Sequence, residues 1–551
     1  MNNKIITILF ILICTVYFIG IGVDTMDVDA SQYAGISREM KESGSYLQVY
    51  EQGKEYLDKP PFLFWVSALS MKVFGDNNLG YKFPSILFAI FAVFATFRFA
   101  KLFYDRTIAL LSAAVLATCQ AVFLITSDIR TDTILMSWVI IAMWQLAEWY
   151  KSKKTFHFIL GAAAIGAGMV TKGPIALFVP IFAFGSHFVL KREWKQIFQP
   201  VYLLGILVIA LVLLPMSIGL YQQFDLHPEK TVNGLKNVSG LKFFYWTQSF
   251  GRITGENVWN NNAPFSFLFE NLLWGMLPWT LFFVAGLVYE IIRIIGNRLF
   301  VGRNEEFLTT GGFLLSYCSL GISKYQLPHY IYVVLPFIAI ITAKMVYRLF
   351  WEKKLPLLRN ILTPIQWIVC AALVVAPAMI LLYSFPTTSV WPWVIPVISL
   401  IGAIGLMLNK QVIKKLIAVS LSLIVGLNIF LSSWFYPQLL QYQSGNVVGR
   451  YIVDQKISAD KFFFYKFKGS GKAIHFYAKH IIGTVDSLDA ATTGTYLYTS
   501  DEGLKEIQQS GKLHVIEKEG LDYHVTSLSG KFLNKNTRDE QCGKYYVVKM
   551  L

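Results

Sequence analysis

The sequence predicts a polytopic α-helical membrane protein with a small α/β domain at its C-terminal end. Three observations predict it. Apolar runs close to the length that crosses a bilayer core as a helix recur along most of the chain. Short Lys/Arg clusters punctuate those runs with a regular alternation. After Tyr436 the runs stop and short alternating segments take over. Of the 551 residues 55% are hydrophobic, and the mean hydropathy is +0.49, far from the range of a soluble protein.

The first element, Ile5–Val23, follows Lys4 and has a long apolar run with no A-x-A site after it, so it reads as an uncleaved span. Twelve further spans follow: Phe83–Phe103, Thr107–Thr126, Thr133–Tyr150, Phe156–Val170, Pro174–Leu190, Val201–Tyr221, Phe267–Ile292, Phe307–Ile322, Pro328–Val346, Ile361–Tyr383, Val390–Leu408 and Leu416–Phe435. Charge sets their direction. Lys151, Lys153 and Lys154 follow the fourth span, Lys191, Arg192 and Lys195 the sixth, and Arg293, Arg298 and Arg303 the eighth. Arg348, Lys353, Lys354 and Arg359 follow the tenth, and Lys410, Lys414 and Lys415 the twelfth. All lie after even spans, hence on one side, which the positive-inside rule makes cytoplasmic. The apolar segment Phe62–Phe74 is too short to cross and would reverse every later cluster if it did. It is expected in the interface, with Trp65 at headgroup level.

The net charge of +15 is therefore topological and not a nucleic-acid signal. Cys14, Cys119, Cys318 and Cys370 lie inside apolar segments and Cys542 stands alone, so neither a disulfide framework nor a zinc motif is present. In the tail, Lys461–Phe467, Gly494–Thr499, Lys512–Glu517, Tyr523–Ser527 and Lys544–Lys549 read as strands, and Ser500-Asp501-Glu502 starts a helix to about Gln509. Residues 437–551 are expected to form an extracytoplasmic domain, a cover or recognition element without catalytic machinery.

The odd loops share the other face. They bring together Asp29, Tyr33, Asp58, Lys59, Asp128, Arg130, Asp132, Lys172, Arg252 and Lys324. Singly, each has an ordinary explanation: Asp29 and Asp132 as helix caps, Lys59 as a snorkelling cation, Lys172 as a loop charge. Jointly, ionisable groups from several loops on one membrane face mark a functional site. Lys59, Arg252 and Lys324 suit a phosphate, and carboxylates beside them suit a base or an orienting group. The aromatic strings Phe62-Leu63-Phe64-Trp65 and Phe243-Phe244-Tyr245-Trp246 suit a groove for an acyl or prenyl chain, although aromatic belts produce similar strings.

The order Asp29-Ala30-Ser31-Gln32-Tyr33-Ala34, Asp58-Lys59-Pro60-Pro61, Arg130-Thr131-Asp132 and Thr171-Lys172-Gly173-Pro174 resembles the C-type (GT-C) glycosyltransferases. Within them it is similar to the protein O-mannosyltransferase and lipid A aminoarabinose transferase family. Lys324-Tyr325-Gln326-Leu327-Pro328-His329-Tyr330 resembles a Lys-Leu-Pro-x-Tyr stretch of the aminoarabinose transferases. Ala30 stands where many relatives carry a second acid, and Asp58 where the aminoarabinose transferases carry Glu.

The resemblance implies an inverting transfer of a sugar from a polyprenyl phosphate carrier to a lipid A, surface-glycan or protein acceptor. The setting it implies is the outer face of the bacterial inner membrane. It implies Asp29 and Asp132 as the catalytic-site carboxylates, with Asp29 as base or acceptor-orienting group. Lys59, Arg252, Tyr330 and Lys324 would bind the donor phosphate, and Tyr33, Asp58, Arg130 and Lys172 would support the site. No cofactor is certain; a divalent metal, with Asp58 as candidate ligand, is left open. The rival class is a lipid-linked sugar transporter or flippase without catalysis. Transporters hold charge near mid-span and often show repeats, whereas here the charges collect at one surface.

Overall fold

The protein is described by a computed structural model covering residues 3–248, 251, 261–302, 305–410, 414–469 and 471–551. The chain is a multipass bundle of helices. The opening helices are α1 (Asn3–Ile19), α2 (Asp29–Ser43), α3 (Phe62–Phe74), α4 (Asn78–Phe103), α5 (Arg106–Thr118), α6 (Gln120–Ser127), α7 (Thr131–Ser152), α8 (Thr155–Lys172), α9 (Ile175–Leu190) and α10 (Val201–Leu220). Local chemistry sets several boundaries. Asn77 caps α4 by accepting from the Gly80 amide at 3.0 Å, and Asp105 caps α5 by accepting from the amides of Thr107 and Ile108. Gly44, at φ +70°, closes α2 in the left-handed conformation that favours glycine.

All thirteen apolar runs are helical among the described residues. By length and composition, seven helices among the described residues are able to cross a membrane, and the α5–α6 pair makes an eighth if counted as one span. That pair corrects the straight span expected over Thr107–Thr126, because the chain bends by 50° between α5 and α6. The span expected over Phe267–Ile292 is likewise two helices, Phe267–Gly275 and Thr280–Gly296. Pro278 in the break carries no N–H, and its apolar neighbours hide the interruption from a hydropathy reading. Phe62–Phe74 is the 13-residue helix α3, buried through Leu63, Phe64 and Met71 and open through Leu69 and Val73.

Small residues let the helices approach, as expected where lipid offers no hydrophobic drive to association. A Cβ at Gly168 of α8 would lie 2.8 Å from the Ala176 Cβ of α9. A Cβ at Gly219 of α10 would lie 2.1 Å from the Leu47 carbonyl oxygen, so glycine there lets the first loop rest on α10. Gln223 completes the attachment: its amide accepts from the Val49 N–H at 3.0 Å and donates to the Val49 carbonyl at 2.7 Å.

The two ends of the bundle differ. The loops after even runs meet one another: Lys153 reaches Gln196 at 3.2 Å, Arg192 lies over Phe300, and Lys414 lies over Trp351. At the other end lie α2, the ribbon of β1 (Tyr50–Glu51) and β2 (Lys54–Glu55), and a second ribbon of β3 (Thr231–Val232) and β4 (Leu235–Lys236).

The C-terminal residues form a five-stranded sheet of β5 (Phe462–Phe464), β6 (Gly483–Thr484), β7 (Tyr496–Ser500), β8 (His514–Asp522) and β9 (Gly543–Met550), in the order β6-β5-β7-β9-β8. β5 is parallel to β6 and β7, and β9 is antiparallel to β7 and β8. The helix after Ser500 runs Asp501–Gln509. The strand expected at Tyr523–Ser527 is absent, since β8 ends at Asp522. There the Tyr523 amide donates to the Tyr442 carbonyl at 2.7 Å and its ring stacks on Phe532. Those contacts turn the chain onto the end of the membrane helices instead of into the ladder.

This sheet unit rests on the first loop. Arg38 donates to the His475 carbonyl, Lys472 pairs with Glu51, and the Thr25 amide donates to the Tyr477 hydroxyl at 2.7 Å. Burial, with the cations Arg38 and Lys472 and the neighbouring His480 adding to it, pushes the His475 imidazole down to about 4. An imidazole lowered on folding stays neutral in the folded state and protonates on release. Its contribution is therefore complete above its ordinary value of about 6.5 and is lost as pH falls towards 4. Hydrogen exchange over residues 472–482, corrected for intrinsic rate, should accelerate through that window. A flat profile would contradict the assignment.

Candidate functional site

The site begins where α1 gives way to α2. Asp29 is the first residue of α2, so its carboxylate sits at a helix N-terminus, where negative charge is favoured. It meets Arg130, which immediately precedes α7. The same guanidinium holds Asp128 through Nη2 at 2.8 Å and Nε at 3.0 Å. Burial pushes the Asp128 carboxyl up, and Arg130 opposes that shift. Burial alone would lower Arg130, but Asp128 and Asp29 raise it overall, so the guanidinium is held firmly charged between two acids.

One turn along α2, Tyr33 packs on Phe64, with ring centroids 5.8 Å apart, and Tyr56 packs on the same ring. Burial raises both hydroxyls well above the usual tyrosine range, and the charges of Asp29 and Asp58 raise them further. The two acids therefore act on one neighbourhood. Asp58 pairs with Lys59 at 3.1 Å and accepts from the Gln248 amide at 2.7 Å, which ties the first loop to the segment that follows α10.

A third group stands beside these. Asp132, in the first turn of α7, is only 1% exposed; Lys172, the last residue of α8, reaches it at 2.5 Å. Lys172 also lies 4.2 Å from the Tyr330 ring centroid, in cation–π geometry. His329 Nε2 is 3.8 Å from the second Asp132 oxygen, and its ring packs edge-on against Tyr330 with centroids 5.2 Å apart. The structure thus brings Asp29, Tyr33, Asp58, Lys59, Arg130, Asp132, Lys172 and Tyr330 into one constellation. Lys324 is exposed, and its carbonyl accepts from the Asn261 amide at 3.3 Å. Arg252 lies outside the described residues.

Sequence reasoning missed Lys82, His329 and Gln248. Lys82 is 0% exposed, and its ammonium donates to the Val23 and Ser127 carbonyls at 2.7 Å each and to Gly20 at 3.4 Å. It fastens the end of α1 to the end of α6, just before Asp128. The signal was present as a lysine at the very start of an apolar run, where it passes for an ordinary interfacial flank.

The sequence leaves a divalent metal open, with Asp58 as candidate ligand. No three His, Cys, Asp or Glu side chains cluster as a ligand set among the described residues. The Asp58 carboxylate is already engaged by an ammonium and an amide. The expected groove is narrower than the aromatic strings suggested. Phe243 and Phe244 line a crevice of about 20 Å³ beside Asp58 and Lys59, roughly the room of one water. Leu63 and Phe64 are fully buried under α2 instead.

Residues 58–218 match the family described as dolichyl-phosphate-mannose-protein mannosyltransferase. The undecaprenyl phosphate-alpha-4-amino-4-deoxy-L-arabinose arabinosyl transferase of Edwardsiella ictaluri is 29% identical over 360 residues, which cover 63% of this chain and 61% of that protein. The enzyme of the same name from an Enterobacter species is 27% identical over 332 residues, covering 57% and 54%. The chain thus matches less than two thirds of the length of these relatives. The crystal structure of ArnT from Cupriavidus metallidurans bound to undecaprenyl phosphate superimposes with a TM-score of 0.73 at 15% identity, over 99% of this chain and 98% of that one. The apo form gives 0.71. The fold is that of the GT-C glycosyltransferases, in agreement with the resemblance read from the sequence.

Proposed function

We propose that this multipass GT-C-fold protein is an inverting glycosyltransferase, which moves a sugar from a polyprenyl phosphate donor to lipid A, a surface glycan or a protein. The carrying observation is the convergence of Asp29, Lys59, Arg130, Asp132 and Lys172 from separate elements, at the end of the bundle opposite the Lys/Arg-rich loops. By the positive-inside rule that end faces the periplasm of a bacterial inner membrane. The undecaprenyl phosphate in the ArnT structure supports the same class of donor here.

Chemistry follows from charge. As the bond between the anomeric carbon and the phosphate oxygen breaks, negative charge develops on the departing polyprenyl phosphate. Fixed cations facing that charge stabilise the transition state. Lys59 and Lys172 take this role, with Arg252, Tyr330 and Lys324 as further donor contacts. Of the two catalytic-site carboxylates, Asp29, at 33% side-chain exposure against 1% for Asp132, is the more accessible. It removes the proton of an acceptor hydroxyl as the oxygen attacks the opposite face of the sugar. Asp132, enclosed by Lys172 and His329, positions the Lys172 ammonium.

The test separates transfer from transport. Purified protein in lipid, given a polyprenyl phosphate sugar and an acceptor, should release free polyprenyl phosphate in step with glycosylated acceptor. Donor that crosses the bilayer with its sugar bond intact would replace this reading with the flippase.

A further inference from the structure

At the bundle end opposite the candidate site, the helices Pro356–Met379 and Lys415–Phe430 begin beside one another. Between their starts lies a cavity of about 220 Å³, lined by Lys353, Arg359, Lys414, Lys415, Leu416 and Ile417. Four cations and no carboxylate line it among the described residues. Nearby Glu352 is taken by Lys354 at 3.1 Å and leaves the cavity charge in place.

Two of the cations are locked. Lys414 donates to the Phe350 carbonyl and lies 5.1 Å from the Trp351 ring centroid, and Lys415 donates to the Met407 carbonyl at 2.5 Å. Lys353 is exposed and Arg359 half-buried, with no carboxylate on either among the described residues. Burial lowers the Lys414 ammonium, and repulsion from Lys353 and Arg359 adds to it, the mark of like charges held together without a counter-ion.

Backbone polarity has the same sign. Ala418 is the first residue of its helix to reach back to the Lys414 carbonyl, at 3.1 Å, so the amides of Lys415, Leu416 and Ile417 precede the intrahelical ladder. Those amides and the positive ends of two helices favour an anion. One flank is apolar. Leu357 is 74% exposed, and Ile361 and Ile368 lie open along the same helix, Pro356–Met379. In a membrane protein such side chains face acyl chains.

We infer that this cavity binds the phosphate headgroup of an acidic phospholipid from the leaflet at that end, with its acyl chains along the open face of the helix Pro356–Met379. Basic pockets between membrane helices on the cation-rich side are suited to such headgroups. The exposed leucine and isoleucines favour a lipid over a free phosphate. The assignment stands apart from the glycosyl-transfer reading, because it uses none of the residues of that site.

The full chain, purified in neutral detergent, would be titrated with phosphatidylglycerol or phosphatidylcholine, and retained lipid counted by native mass spectrometry. Phosphatidylglycerol should be retained preferentially, and the preference should weaken as salt rises. The double variant Lys353→Gln/Arg359→Gln should weaken retention on the order of 30-fold. The charge-preserving Lys353→Arg/Arg359→Lys should keep it. Should the neutral variant fail to fold, competition on the wild-type protein decides: excess inorganic phosphate alone should not displace the lipid. Equal retention of both lipids, undiminished retention in a folded neutral variant, or full displacement by inorganic phosphate would each overturn the assignment.

Discussion

Asp29→Asn is expected to lower transfer to a hydroxyl acceptor by about two to four orders of magnitude, the range that a positioned general base supplies. Asn keeps the shape of the side chain and a hydrogen-bonding oxygen for Arg130 but loses the basic carboxylate. The fold and the donor affinity should therefore persist, because Lys59 and Lys172 belong to other elements. The measurements are turnover under saturating donor and donor binding on the same preparation. A loss of only a few-fold would mean that the acceptor oxygen arrives already ionised, as in a phosphate acceptor. Unchanged turnover would remove Asp29 from the reaction altogether.

Arg130→Met should damage the protein as well as the reaction. The guanidinium is the shared partner of Asp29 and Asp128, and Asp128 is almost wholly buried. Breaking a buried pair by removing one partner leaves the other charge stranded, at a cost of about 3–5 kcal/mol. Thermal unfolding in detergent should therefore shift to clearly lower temperature, and activity should fall with it. Arg130→Lys should recover little, because an ammonium is a point charge and cannot span two carboxylates as the planar fork does. A variant with wild-type stability would show that the pairing carries no structural weight.

Part of the site is legible in the sequence. Asp29, Lys59, Arg130, Asp132 and Lys172 each stand at the end of an apolar run. An ionisable group at such a boundary is visible to any reading that counts runs and charges. The pairings were not legible. Arg130 lies two residues from both Asp128 and Asp132, and the sequence favours neither; the fold gives Asp128 to Arg130 and Asp132 to Lys172. Lys82 stayed hidden because a lysine at the start of a span usually reaches for headgroups. Here three carbonyls from the ends of α1 and α6 enclose it. The break at Pro278 stayed hidden for a related reason, since apolar residues on both sides keep the hydropathy high through the turn.

The sequence by itself determined that the chain is a multipass bundle, that its cation-rich loops gather at one end, and that its acids and remaining cations gather at the other. Run length and charge position are local properties, and a bilayer reads them directly. Only the tertiary structure decided which acid meets which cation, where α5 and α6 bend, and that the C-terminal sheet rests on the first loop through Arg38 and Glu51. Those outcomes depend on contacts between residues as far apart in the chain as Arg38 and His475. They are fixed by which helices small residues allow to approach, a matter of shape that no periodicity records.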